Sequence, residues 1–327
     1  MDVFSDVIAT VRAGRAKFSR SLRTGPWGNR FGPYPGAGFH VLLHGGCWLI
    51  PPSGAPVQLS AGDVVFLPYG AMHGMSDSPH RTIMELPPEP DNGPAIRALH
   101  DEPDVLSANQ AHLLCGAYRL ERGQAHPFLR TLPEVVHIAA RPGRHSTLRA
   151  AVDLLGADLS EPRPGAGAAL PALMDLLLVY LLRAWLDDEV ERRPHAGWPA
   201  ALTDPVIATA LHHIHHEPSR RWTVQDLGDT IGMSRTAFTR RFTSLVGQPP
   251  LAYLTWWRLN TGARLLQDTD APLASIARQV GYTSEYAFAN AFRREFGTAP
   301  GRFRRQHRSC AAGFQEGAHP YPVESVG

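Results

Sequence analysis

Apolar residues recur along this chain with two different periods. Between Trp222 and Phe242 they fall four apart, Leu227 with Ile231 and then Phe238 with Phe242, and Gly232-Met233-Ser234 interrupts them. A spacing of four marks one face of a helix and glycine breaks it, so the stretch predicts helix, tight turn, helix, with Ser234 as the N-cap of the second. The pattern returns with Ile276 and Val280 before Gly281 and Phe288 and Phe292 after it, with one more residue in the turn. Between the two units a longer helix is expected, with Leu254, Trp257 and Leu265 on its core side and Arg258 and Arg264 towards solvent. Residues 38–140 instead carry short apolar segments, FHVLLHG, CWLI, VVFLP, TIMEL, HLLCGAYRL and VVHIA, punctuated by turn residues. These predict the strands of a sandwich or barrel. From residue 145 the helical period resumes in Leu148, Val152 and Leu155. Leu170 to Leu186 is then apolar nearly all round, more surface than one barrel can cover, which suits a helical hairpin that also pairs with a second subunit.

Charge adds a direction to this pattern. The chain of 327 residues has a net charge of only +2, but residues 200–308 carry 14 basic against 8 acidic groups, while residues 1–199 carry 18 against 20. The excess sits with the paired helical units, as neutralisation of phosphates requires. The outward side of the first unit's second helix presents Arg235, Thr236, Thr239, Arg240 and Arg241, short hydrogen-bonding groups flanked by positive charge, and Arg293 and Arg294 lie on the equivalent helix of the second unit. Two such helices suit successive faces of a DNA major groove.

Three cysteines, Cys47, Cys115 and Cys310, are odd in number, far apart and without CxxC spacing, which argues for a reducing compartment, a bacterial-type cytoplasm. MDVFSDVIATVRAGRAKFSR mixes charges and is expected not to be an export signal. The apolar stretch at 170–186 contains Asp175 and Arg183 and is short for a bilayer span, so no membrane association is expected.

Residues 203–308 resemble the DNA-binding domain of the AraC/XylS family of bacterial transcription regulators. The resemblance rests on the two glycine-turn units, on GQPPLAYLTWWRLNTGARLL between them, and on the closing Phe296-Gly297, Pro300-Gly301 and Phe303-Arg304. It implies base-edge readers at Thr236, Thr239 and Arg240 in the first unit and at Glu285, Tyr286 and Asn290 in the second, in a DNA-contacting set completed by Ser234, Arg235, Arg241, Ser284, Arg293 and Arg294. It also favours activation, with RNA polymerase as a further partner.

AGDVVFLPYGAMH, residues 61–73, looks like the GD-x4-P-x-G-x-x-H segment of cupins. With GGCWL and LLCGAYRLERGQAHPFLRTLP it is similar to the cupin sensor domain that precedes many AraC-type DNA-binding domains. His73 is expected at the barrel mouth, in a sensor pocket with His40 and Cys115. Metal-dependent cupins resemble one another in a His-x-His pair followed by Glu, which is absent here. A metal set would have to come from His40, His44, His73, Cys115 and His126, donors that favour zinc. No cofactor is expected, with histidines hydrogen-bonded to backbone as the simpler arrangement. Cys115 as a reactive thiol is the alternative signal input.

Together these observations predict an α+β multidomain chain without catalysis. Its parts are a cupin-like β-barrel sensor (1–145), a helical dimerisation segment (146–188), a polar, proline-rich linker (189–204), an all-α domain with two helix-turn-helix units (205–308) and a disordered tail (309–327). The expected function is a homodimeric transcription regulator that binds double-stranded DNA and responds to a small molecule or a stress. The less favoured alternatives are a redox or metal sensor acting through Cys115 and His73, and a metal-dependent cupin enzyme. The run HHIHHEP at 212–218 is expected at the exposed end of the DNA-binding domain's first helix.

Overall fold

The computed structural model describes residues 3–12, 15–34, 36–85, 96–100, 110–119, 126–160, 164–193 and 195–306. The expected tail at 309–327 lies outside them. The chain divides into two compact units, residues 1–208 with 241–247, and residues 209–240 with 248–327.

The first unit opens with helix α1 (Val3–Arg12), whose Val3, Val7 and Ile8 are buried. Strands β1 (Arg15–Arg23), β2 (Gly28–Phe31), β3 (Gly36–His44), β4 (Gly46–Ile50), β5 (Val57–Ser60), β6 (Val64–Leu67), β7 (His73–Ser76), β8 (Met84–Glu85), β9 (Ile96–His100), β10 (Ala111–Arg119) and β11 (Val136–Ile138) follow. They form two sheets, ordered β11-β6-β3-β10-β1-β9 and β5-β4-β7-β2-β8. Leu42, Leu49, Leu59, Val65, Leu67, Met75 and Leu113 fill the space they enclose. Gly62 and Asp63 make the turn expected of the cupin-like segment. Gly62 has φ +93° and donates to Leu42 O at 2.7 Å, a conformation L-residues rarely adopt. Asp63 accepts from Ser60 N, Ala140 N and His137 Nε2 at 2.8–3.1 Å and so ties β11 to the turn. Burial alone would raise its carboxyl, but these bonds outweigh it and hold Asp63 below the usual carboxylate range.

Helices α2 (Ser146–Ser160) and α3 (Ala166–Arg192) form the hairpin read from the apolar pattern. Leu148, Val152 and Leu155 are buried, and Met174, Leu177, Leu178 and Leu181 face Phe39 and Phe66 of the barrel. By length and composition α3 could cross a membrane, yet eight of its residues from Leu170 to Trp185 are buried, and Asp175 accepts a hydrogen bond from Tyr118 Oη at 3.4 Å. Leu154, Leu176 and Val190 remain 54, 36 and 36% exposed.

The segment read as a polar linker is a correction. Helix α3 continues to Arg192, and residues 197–203 form helix α4 (Gly197–Thr203), whose Trp198 is fully buried. Its ring meets His126 edge-on at 5.1 Å and Phe128 at 5.9 Å. Large aromatic area moves into the core here, so the segment is folded structure and not a tether.

Helix α5 (Pro205–His216) begins at Asp204, which caps the amides of Val206 and Ile207 at 3.0 Å. Then come α6 (Val224–Thr230), α7 (Arg235–Val246), α8 (Pro250–Asp268), α9 (Leu273–Gln279) and α10 (Glu285–Phe296). Phe288, Phe292, Phe296 and Phe303 pack with Ile276 and Val280 under α8. Three expectations about side-chain placement change. His215 of the HHIHH run is 7% exposed, stacked on Trp257 at 3.8 Å and hydrogen-bonded to Tyr253 Oη at 2.7 Å, so it is core and not surface. Arg258 is half-buried; it donates to Pro218 O and Arg220 O at 2.7 Å and clamps the loop after α5. Leu265 is only partly buried, and its neighbour Leu266 is the core residue.

Candidate nucleic-acid interface and barrel site

The first reading unit is built by local chemistry. Thr223 and Asp226 form a reciprocal capping box that starts α6, and Met233 N returns to Gly228 O at 2.9 Å to close the turn. A Cβ at Gly228 would stand 2.7 Å from Met233 O, so the turn can be this tight only with glycine there. Ser234 Oγ accepts from Ala237 N at 3.4 Å at the start of α7. Four residues separate α6 from α7 and five separate α9 from α10, the longer second turn expected from the sequence. In the second unit Ser284 caps α10 through Ala287 N at 3.1 Å, and Gly297 ends it in a left-handed conformation.

These helices bury one face and present the other. Phe238, Phe242, Phe288 and Phe292 are fully buried, while Arg235, Thr236, Arg240, Glu285, Arg293, Arg294 and Tyr286, itself 76% exposed, stand outward. Asn290 is half-buried, and Thr239 is half-buried with its hydroxyl donating to Arg235 O at 2.8 Å, which leaves its oxygen lone pairs for accepting. Arg241, expected in the DNA-contacting set, has its guanidinium paired with Asp204.

Of the proposed barrel residues, three come together and two do not. His40 and Cys115 are register partners across β3 and β10, and His73 enters at the start of β7. His40 Nδ1 lies 2.9 Å from Cys115 Sγ, His40 Nε2 lies 2.7 Å from His73 Nε2, and His73 Nδ1 lies 2.8 Å from Ala71 O. All three residues are at most 7% exposed, so His73, at the first position of its strand, is buried. Phe31 stacks on His73 at 5.4 Å and meets His40 edge-on at 4.9 Å. Burial, then the neighbouring His73, hold the His40 imidazole well below its ordinary value, and burial holds His73 down despite its bond to Ala71. Cys47 is also buried in this core, where burial and the Asp63 carboxylate push its thiol up to about 12.

His44 is exposed at the end of β3, and His126 accepts from Phe128 N at 3.0 Å beside Trp198. Neither joins the cluster. The remaining three do not fit a metal ion either. His40 meets Cys115 and His73 through opposite nitrogens of one ring, so an ion on either nitrogen stands on the far side from the third donor. Among the described residues no group of three or more His, Cys, Asp or Glu could hold a metal. Sequence spacing could not show this chain of contacts, since His40 and Cys115 are 75 positions apart.

Residues 2–187 match the cupin family model, and residues 227–306 match a helix-turn-helix domain model. The chain is 36% identical to an AraC-like transcription regulator of Streptomyces lividans, over 93% of its own length and 98% of the relative's. It is 27% identical to the transcriptional regulator AlkR of Acinetobacter baylyi, over 94% and 100%. Among solved structures, the DNA-binding domain of AdpA in complex with a target DNA is 31% identical, covering 33% of this chain and 97% of that one with a TM-score of 0.32. The cupin barrel, the paired glycine-turn units and full-length relatives agree: this chain belongs to the AraC family of DNA-binding transcription regulators, with a cupin domain at its N-terminal side.

Proposed function

We propose that this regulator reads an operator with two helices, α7 and α10, and takes its signal in the barrel. One observation carries the DNA reading: both units expose their polar face over a fully buried phenylalanine pair, Arg235, Thr236 and Arg240 in one and Glu285, Tyr286 and Arg293 in the other. Direct base readout falls to Thr236, Thr239 and Arg240, and to Glu285, Tyr286 and Asn290, because short polar groups and arginine can pair with base edges in the major groove. Ser234, Arg235, Ser284, Arg293 and Arg294 orient the helices on phosphates.

The exposed leucines of the α2–α3 hairpin support a homodimer, and a dimer of two-headed readers calls for paired half-sites. A small molecule or a stress acting in the barrel would shift a population between DNA-binding arrangements. The proposed setting is cytoplasmic, the proposed sign of control activation, with RNA polymerase as a partner. The test is selection of genomic fragments by the purified full chain, with metal content measured on the same preparation. Enrichment of a few sites with paired half-motifs is expected. Uniform, salt-sensitive binding without enrichment would overturn the reading.

A further inference from the structure

The contacts around Cys115 fix where its proton goes. Both imidazoles are neutral at pH 7, so each carries one N–H. The Ala71 carbonyl can only accept, so His73 is protonated on Nδ1 and its Nε2 is an acceptor. The proton between the rings therefore belongs to His40 Nε2, leaving His40 Nδ1 as an acceptor, and the thiol S–H of Cys115 donates to it. The result is an ordered series: Cys115 to His40 to His73 to the Ala71 carbonyl. A thiol whose hydrogen already points at a base is set to lose it as sulfur attacks. Cys47 lies in the same core, where burial and then the Asp63 carboxylate keep its thiol protonated.

We propose that Cys115 is an oxidation site for small hydroperoxides, with His40 as the group that accepts its proton. Hydrogen peroxide is the simplest member of the class and is close to water in size, which suits a thiol on a residue that is only 7% exposed. The thiol proton passes to His40 Nδ1 as sulfur bonds to one peroxide oxygen. The O–O bond breaks, and the departing hydroxide takes that proton to become water. Sulfur is oxidised by two electrons to sulfenic acid and the peroxide is reduced. His73 then supports the transient His40 imidazolium by accepting from its Nε2–H. The new oxygen removes the S–H···N contact and adds volume in a packed core, which is how oxidation would reach the rest of the sensor. That last step, unlike the chemistry, rests on the regulator reading.

The experiment treats the reduced full-length protein with limiting hydrogen peroxide in the presence of a sulfenic-acid trap, followed by peptide mapping. Labelling at Cys115 and not Cys47 is expected, at least about ten-fold faster than in the guanidinium-unfolded chain. Cys115→Ser should abolish it. His40→Asn, which keeps a polar atom near the sulfur but no base, should slow it on the order of 10²-fold with secondary structure retained. An unchanged rate in a folded His40→Asn protein, faster labelling of Cys47, or a stoichiometric metal lost in Cys115→Ser would overturn the proposal. Operator binding measured before and after oxidation separates the two readings. Loss in wild type but not in Cys115→Ser supports sensing, and retention in both overturns it. Absence of any specific binding in either state would overturn the regulator reading and leave the thiol chemistry standing.

Discussion

Arg241, on the helix expected to read DNA, donates from Nε at 2.9 Å to Oδ2 of Asp204, the residue that caps α5. The carboxylate thus completes a helix start and neutralises an arginine of the reading helix at once. Burial would raise the Asp204 carboxyl, but the Ile207 amide, Arg241 and the Val206 amide together lower it. Arg241→Ala is expected to cost under about 1 kcal/mol because the guanidinium is half exposed. Asp204→Ala should cost more, about 1 kcal/mol for the cap alone, and the double variant should fall short of the sum. Thermal melts of the three variants check this.

Arg240 has an exposed side chain on the same helix, and the prediction for it is the opposite in kind. Arg240→Ala should lose about 1–3 kcal/mol on the selected operator and relax base preference at one position. Arg293→Ala should weaken all DNA evenly and lower the salt slope by about 1. Titrations at several salt concentrations distinguish them, and an unchanged affinity and preference in Arg240→Ala would remove α7 from the groove.

Gly281 holds φ +83°, and a Cβ there would meet Pro218 O at 2.7 Å and the Arg258 guanidinium at 2.9 Å. Gly281→Ala is therefore expected to destabilise its unit by roughly 1–3 kcal/mol, through strain and a disturbed Arg258 clamp. Chemical denaturation measures it. A fully stable variant would show that the second turn tolerates rearrangement.

His112 accepts from Arg20 Nε at 2.6 Å, and burial, then Arg20, then His44, push its imidazole down to about 4. The unfolded chain takes up a proton near pH 6.5, whereas the folded chain does so only near 4. Stability should accordingly fall as pH drops from about 6.5 to about 4, with the unfolded state binding one more proton across that window. His40 and His73 push in the same direction. His112→Gln should flatten the slope by up to one proton, and an unaltered slope in denaturation at stepped pH would count against the assignment.

Leu154 and Leu176 leave apolar surface open on α2 and α3. If that face joins two subunits, Leu154→Glu with Leu176→Glu should yield a folded monomer with weakened binding to paired half-sites. Sedimentation velocity reads the state directly, and an undiminished dimer would place the interface elsewhere.

What the sequence disclosed follows from the range of the interactions. The reading units were legible because a period of 3.6 and a glycine turn are local, and Phe238, Phe242, Phe288 and Phe292 fell where the pattern put them. The strands were legible as segments, but their register was not. Nothing in residue spacing says that His40 opposes Cys115, or that His126 belongs with Trp198. Helix α4 was missed because Gly197 and Pro199 resemble a loop. Proline is compatible with a first helical turn, and Trp198 beside it was the available sign of burial. His215 was misplaced for a similar reason. It lies four residues after Leu211 on the stripe of Ile207 and Ile214, a position that outweighs its polarity.

The series from Cys115 ends on a backbone carbonyl, and that terminus is invisible to genetics. A substitution at 71 changes the side chain and not the carbonyl that His73 donates to, so a saturation screen reads that position only through the packing of Ala71 against the core. The direction of the protons is inherited from the shape of the loop. Only a change that moves the chain itself could reverse it, such as a side chain at Gly70, whose Cβ would fall 2.1 Å from Tyr34 O.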